Sequence, residues 1–70
     1  MLLKIKTETI ELSQALKCAD LVQSGGEAKY VIQNGEVSLN GEIETRRGKK
    51  IKAGDRIQFM QHDILVQAES

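Results

Sequence analysis

The sequence predicts an α+β fold in which two short helices pack on a small, mostly antiparallel sheet. Three observations carry that prediction. Apolar residues recur with a helical period from Leu12 to Gly35 and with a period of two beyond it. Six glycines fall between the apolar runs, and no proline interrupts either kind of element.

Taken in order, Leu3 and Ile5 alternate with Lys4 and Lys6, which suits an edge strand because lysine discourages pairing with another chain. Leu12, Ala15, Leu16, Ala19 and Val22 recur at i, i+3, i+4, i+7 and i+10 and predict a helix from about Glu11 to Ala19. Ser24-Gly25-Gly26-Glu27 fits a capping box, with the Ser24 hydroxyl accepting from the first turn and Glu27 reaching back to the Ser24 amide. The second helix buries Ala28, Val31 and Ile32 and stops at Asn34-Gly35, where glycine takes the left-handed conformation. Val37 and Leu39 then alternate with Glu36, Ser38 and Asn40, and Asn40-Gly41 turns the chain into a return strand through Glu42, Ile43 and Glu44. Ala53-Gly54-Asp55 makes a further turn, followed by a strand in which Ile57 and Phe59 alternate with Arg56 and Gln58. A turn at His62-Asp63 leads into a last strand through Ile64, Leu65 and Val66. The expected core is Leu12, Leu16, Val22, Val31, Ile32, Val37, Leu39, Ile43, Ile57, Phe59 and Ile64.

The 70 residues, 40% of them hydrophobic, are expected to form one domain spanning 1–70, since a chain of this size has surface enough to bury only one core. Cys18 has no partner for an internal disulfide, and no Cys/His cluster suggests a metal, so neither metal nor cofactor is expected and a reducing, cytoplasmic location fits. Met1-Leu2-Leu3 is too short for the apolar stretch of a signal peptide, and no run of about 18 apolar residues could span a bilayer. No membrane role is therefore expected. Tyr30 and Phe59 are the only aromatic residues, which disfavours a platform of stacked bases.

Formal net charge is zero, yet the bases are concentrated. From Arg46 to Arg56 the chain reads RRGKKIKAGDR, six bases against Asp55 alone, a local charge of +5 in eleven residues. Screening over about 8 Å lets such a face act on a polyanion independently of the acidic remainder. Paired arginines add forked donors that match phosphate oxygens. Gly25-Gly26 offers backbone N–H groups at a helix start, where an anion is favoured, although the glycine spacing and Lys-Ser/Thr of a nucleotide loop are missing. Together with Ser24 and Lys29, those amides could hold a single backbone phosphate. Catalysis has less support. Cys18 and His62 are the one conceivable nucleophile–base pair, lie far apart in sequence and have no local activating context, so Cys18 is expected to flank the first helix's core face. Glu36, Glu42 and Glu44 are expected on the solvent side of the hairpin, where their acidity would be untuned and they would serve solubility.

The order ELSQALKCADLVQSGGEAKYVIQNGEVSLNG, followed by KKIKAGDRI, resembles the small RNA-binding domain named after ribosomal small-subunit protein S-four, especially its stand-alone bacterial members of the YbcJ type. The likeness spans Glu11 to Phe59. It is carried by Leu12 and Leu16, Ser24 to Lys29, Ile32 to Val37, Leu39-Asn40-Gly41, and Ile51 with Gly54-Asp55. The resemblance implies two helices in an L-shaped helix-turn-helix leaning on a small sheet, and binding of structured RNA. It also maps Lys29 onto an RNA-contacting base, and Arg46, Arg47, Lys49 and Lys50 onto an enlarged basic loop. Where many members have Arg-Leu-Asp, this chain has Glu11-Leu12-Ser13, and the arginines usual around the second helix start are replaced by Gly25, Gly26 and Lys29.

The expected function is non-catalytic binding of structured RNA, ribosomal or another stable RNA, by a monomer with no small-molecule substrate. Its site residues are Ser24, Gly25, Gly26, Lys29, Arg46, Arg47, Lys49, Lys50 and Lys52. The alternative is a protein-interaction module that docks an acidic partner through the same basic loop. The ubiquitin-like sulfur carriers of that class need a terminal Gly-Gly, whereas this chain reads Ala68-Glu69-Ser70.

Overall fold

The computed structural model describes residues 1–69; Ser70, the last residue of the tail considered above, lies outside the described residues. The elements run β1 (Leu2–Ile5), β2 (Thr9–Glu11), α1 (Leu12–Cys18), α2 (Gly25–Gln33), β3 (Val37–Leu39), β4 (Glu42–Ile43), β5 (Lys50–Lys52), β6 (Arg56–Phe59) and β7 (His62–Ala68). This is the expected α+β arrangement. Five strands form one sheet in the order β1-β7-β6-β3-β4, and β2 pairs with β5 in a second. Every pairing is antiparallel except β1 with β7, which run parallel with Leu3 opposite Val66.

Both helices end as their sequences require. The Glu27 amide donates to the Ser24 hydroxyl at 3.1 Å, capping α2. The Glu27 carboxylate accepts from the amide of Gln23 at 2.8 Å, one residue earlier than the expected Ser24. At the other end Gly35 has φ +78°, and the amides of Gly35 and Glu36 donate to the carbonyls of Ile32 and Val31. That is a Schellman closure, which needs a left-handed residue after the helix. Asp20, with φ 61°, does the same for α1: the Asp20 and Leu21 amides donate to Lys17 and Leu16.

One core cluster joins the inner face of the five-stranded sheet to the apolar stripes of both helices. Leu12, Leu16, Ile32, Val37, Ile57 and Ile64 are fully buried, as their periodicity requires, together with Ile51 and Val66. Two core assignments need correction. Ile43 is 66% exposed, because its register partner is Ser38, whose side chain points to the outer face, while Glu42 pairs with buried Leu39. Cys18 is exposed at the last turn of α1, on the side away from Leu12, Ala15 and Leu16. The turn expected at His62-Asp63 falls instead at Met60-Gln61, with Met60 at φ 56°, so that His62 already pairs with Phe59.

The strand pair β2–β5 has no counterpart in the sequence reading. Ile10 sits opposite Ile51, flanked by Thr9 with Lys52 and Glu11 with Lys50. Three residues with one central isoleucine are too few to show a period.

Candidate nucleic-acid interface

The basic segment is not one loop. Arg46 to Lys49 turn, Lys50–Lys52 form β5, and Ala53 to Asp55 turn again into β6. Within β5 the buried Ile51 anchors the strand, and strand alternation puts Lys50 and Lys52 together on the exposed side. The first turn is held by the start of α1. Glu11, at the N-cap, supplies no side-chain cap; instead the Leu12 amide donates to the Lys49 carbonyl at 2.9 Å and the Ser13 amide to the Arg47 carbonyl at 3.1 Å. Orphan N–H groups that usually need a capping side chain thus fasten the Arg-Arg-Gly-Lys-Lys turn to the helix. Lys50 adds a loose ion pair to Glu11 at 3.9 Å.

Arg46, Lys49, Lys50 and Lys52 line a single groove of about 370 Å³ between β5 and the β3–β4 hairpin, together with Glu42, Glu44 and Asp55. Arg47 faces a neighbouring depression with Glu11, Ser13 and Gly48. Neither hollow includes Ser24, Gly25, Gly26 or Lys29. The start of α2 is a separate feature, linked to the basic turn through α1, which packs on both α2 and β5. There Lys29 is exposed and Gly25 has open space where a side chain would stand. Arg56, counted above among the clustered bases, instead pairs with Asp63 of β7 at 3.0 Å.

Two acidic residues of the groove have structural tasks that the sequence did not reveal. The Glu44 carboxylate accepts from the Arg46 amide at 3.1 Å, from its Nε at 3.0 Å and from a terminal guanidinium nitrogen at 3.4 Å. The side-chain bond from Arg46, then the amide bond, hold the Glu44 carboxyl below its ordinary pKa, and the same pairing raises that of Arg46. Glu44 is therefore not the free, untuned carboxylate expected; its side chain is 13% exposed against 72% for Arg46. Asp55, only 9% exposed, accepts from the Lys52 amide at 2.9 Å and from the Asn40 side chain at 3.1 Å. Asn40 in turn accepts from the Arg56 amide at 2.9 Å, tying the hairpin tip to the second turn. Asn40-Gly41 and Gly54-Asp55 were visible as turn signals, but not their junction.

Burial pushes the Asp55 carboxyl up, yet the Lys52 amide, the Asn40 amide group and the charges of Lys52 and Lys49 outweigh it and hold the pKa below its usual value. A lowered native pKa contributes stability that is present above the unfolded value, about 4, and is lost as pH falls through the native one. Asp55→Asn is accordingly expected to cost about 1–3 kcal/mol at neutral pH. It should also flatten the decline of the thermal midpoint below about pH 4, measured by circular dichroism.

Cys18 and His62, the conceivable catalytic pair, lie on α1 and β7 and share no hydrogen bond among the described residues. Among the described residues, no helix is long and apolar enough to cross a membrane.

The geometry can be set beside known proteins. A Bacillus subtilis (strain 168) protein described as the probable ribosome maturation protein RlbA is 46% identical over 57 residues, covering 81% of this chain and 80% of the relative. Escherichia coli (strain K12) YbcJ is 39% identical over 59 residues, covering 84% of each chain. The solution structure of E. coli YbcJ superposes with a TM-score of 0.74 at 35% identity, covering 96% of this chain and 86% of that one, and is described as revealing an alfaL motif involved in RNA-binding. The sequence model of the S4 domain matches residues 3–67, which take in both helices, the basic turn and nearly all of the strands that hold them. With sequence, fold and coverage in agreement, this chain belongs to the S4 domain family.

Proposed function

We propose that this chain binds structured RNA without catalysing a reaction, gripping the backbone through Arg46, Arg47, Lys49, Lys50 and Lys52 and through the start of α2 at Ser24, Gly25, Gly26 and Lys29. The observation that carries the reading is the fastening of the Arg47 and Lys49 carbonyls to the Leu12 and Ser13 amides. A charge run left free in solution loses entropy when it meets a partner, whereas a turn already held presents its cations in place. Groove and turn offer charge and shape rather than base-specific donors. Such a surface suits the phosphates and 2′-hydroxyls of a folded RNA, whose A-form major groove admits no side chain. Lys29 and the Gly25 and Gly26 amides supply a second point of grip, separate from the first. Two points favour a shaped RNA over a flexible strand. Ribosomal or another stable RNA is the natural class, supported by the B. subtilis relative's description as a probable ribosome maturation protein.

The test is a salt titration of binding to a folded RNA hairpin. If about three or four phosphates are neutralised, log K against log salt should slope by about −2 to −4, and the hairpin should outcompete an unstructured homopolymer. A slope near zero overturns the electrostatic reading and favours an acidic protein as the partner.

A further inference from the structure

Three carboxylates line the basic groove, and a groove for a polyanion gains nothing from negative charge unless each has a task. Glu44 is committed to Arg46, and Asp55 to the Lys52 amide and Asn40. Glu42 is different. It is exposed, lines the groove, and its side chain makes no hydrogen bond or ion pair among the described residues. Its backbone pairs with Leu39, which lines the same groove. A carboxylate offers two acceptors and no donor. Among the bases, only guanine presents two adjacent donors, N1–H and the N2 amino group, on its Watson–Crick edge. Uracil presents one donor between two carbonyl oxygens, which a carboxylate repels.

The groove also has a surface for a ring. Glu44 occupies Nε and one terminal nitrogen of Arg46, which fixes the guanidinium plane and leaves the other terminal nitrogen to meet a phosphate. A fixed guanidinium face is a stacking surface for an unpaired base. Lys50 and Lys52 project from the same strand beside it, each held only loosely, to Glu11 at 3.9 Å and to Asp55 at 4.0 Å. At about 370 Å³ the groove falls within the range of small-ligand sites.

We propose that this groove receives one unpaired guanine of the bound RNA. Glu42 accepts from its Watson–Crick edge, the Arg46 plane lies against its ring, and Lys50 and Lys52 meet the flanking phosphates. The base must be unpaired, because in a duplex cytosine already occupies that edge. This inference rests on the RNA-binding reading and adds to it a specificity that the basic residues by themselves do not provide.

The experiment compares three RNA hairpins that share one stem: fully paired, with a single bulged guanosine, and with a single bulged uridine. Wild-type protein should bind the bulged-guanosine hairpin about tenfold more tightly than the bulged-uridine one, the order expected for a bidentate contact. Glu42→Gln replaces one acceptor by a donor, so the guanosine-to-uridine ratio should fall toward one. Because Glu42 is exposed, the variant should keep the wild-type circular dichroism and remain a fair comparison. Equal wild-type affinity for the two bulges, or a ratio unchanged in Glu42→Gln, overturns the guanine site while binding of the paired hairpin leaves the RNA reading standing. Failure of the wild type to bind any of the three overturns both.

Discussion

Leu16→Ala is expected to leave little folded protein at room temperature. Leu16 is fully buried in the middle of α1, and its carbonyl also accepts the Leu21 amide that closes the helix. Truncating a buried leucine typically costs about 2–5 kcal/mol, because the transfer energy is lost and the cavity collapses only in part. A domain this small stands near the lower end of the usual stability range of about 5–15 kcal/mol, so one such loss removes much of the total. The effect should also reach the interface, since α1 supplies the amides that hold the basic turn. The measurement is a urea denaturation curve for Leu16→Ala beside Ile43→Ala. Periodicity would make the two losses similar. The structure makes them unequal, because Ile43 is mostly in solvent and its truncation should cost no more than about 0.5 kcal/mol. A midpoint for Leu16→Ala close to wild type would mean that the core is assigned wrongly.

The second large effect is on binding. Arg47→Glu with Lys50→Glu is expected to abolish most RNA binding, since the two cations flank the turn on adjoining hollows and reversing both turns attraction into repulsion. Lys50 lies opposite Glu11 in the β2–β5 pair, so glutamate there sets like charges face to face, at a cost of about 0.2–1 kcal/mol. Arg47→Gln with Lys50→Gln avoids that repulsion. It should weaken binding to all RNAs alike and reduce the magnitude of the salt slope by about 2, one for each phosphate contact removed. Lys29→Ala should lower it by about one more if the start of α2 holds a phosphate of its own. Filter binding or fluorescence anisotropy at several salt concentrations reads both quantities. Undiminished binding by the charge reversal, in protein with unchanged circular dichroism, would remove the basic turn from the interface.

The part of the fold legible from the residues is the part written in short windows. The stripes of α1 and α2, the Ser24 cap, the stop at Gly35 and the Asn40-Gly41 hairpin each involve residues only a few positions apart, where helical period, capping and turn chemistry act directly. The concentration of bases between Arg46 and Lys52 is equally local, and so was the S4-like order of residues. Tertiary structure decided whatever depends on pairing distant segments. Only long-range packing brings Ile10 against Ile51, making a strand from what reads as a loop. The register of β4 against β3 sets Ile43 opposite Ser38, in solvent, and Glu42 opposite buried Leu39, an outcome the hydrophobic pattern cannot supply because a two-residue edge strand has almost no pattern to read. The uses of the charges follow from the same cause. An ion pair such as Arg56–Asp63, the Asn40–Asp55 junction and the fastening of the Arg47 and Lys49 carbonyls to α1 all require strands or turns to meet across the fold. Local chemistry placed the cations in the sequence, and the folded contacts determined which of them remain available to a partner.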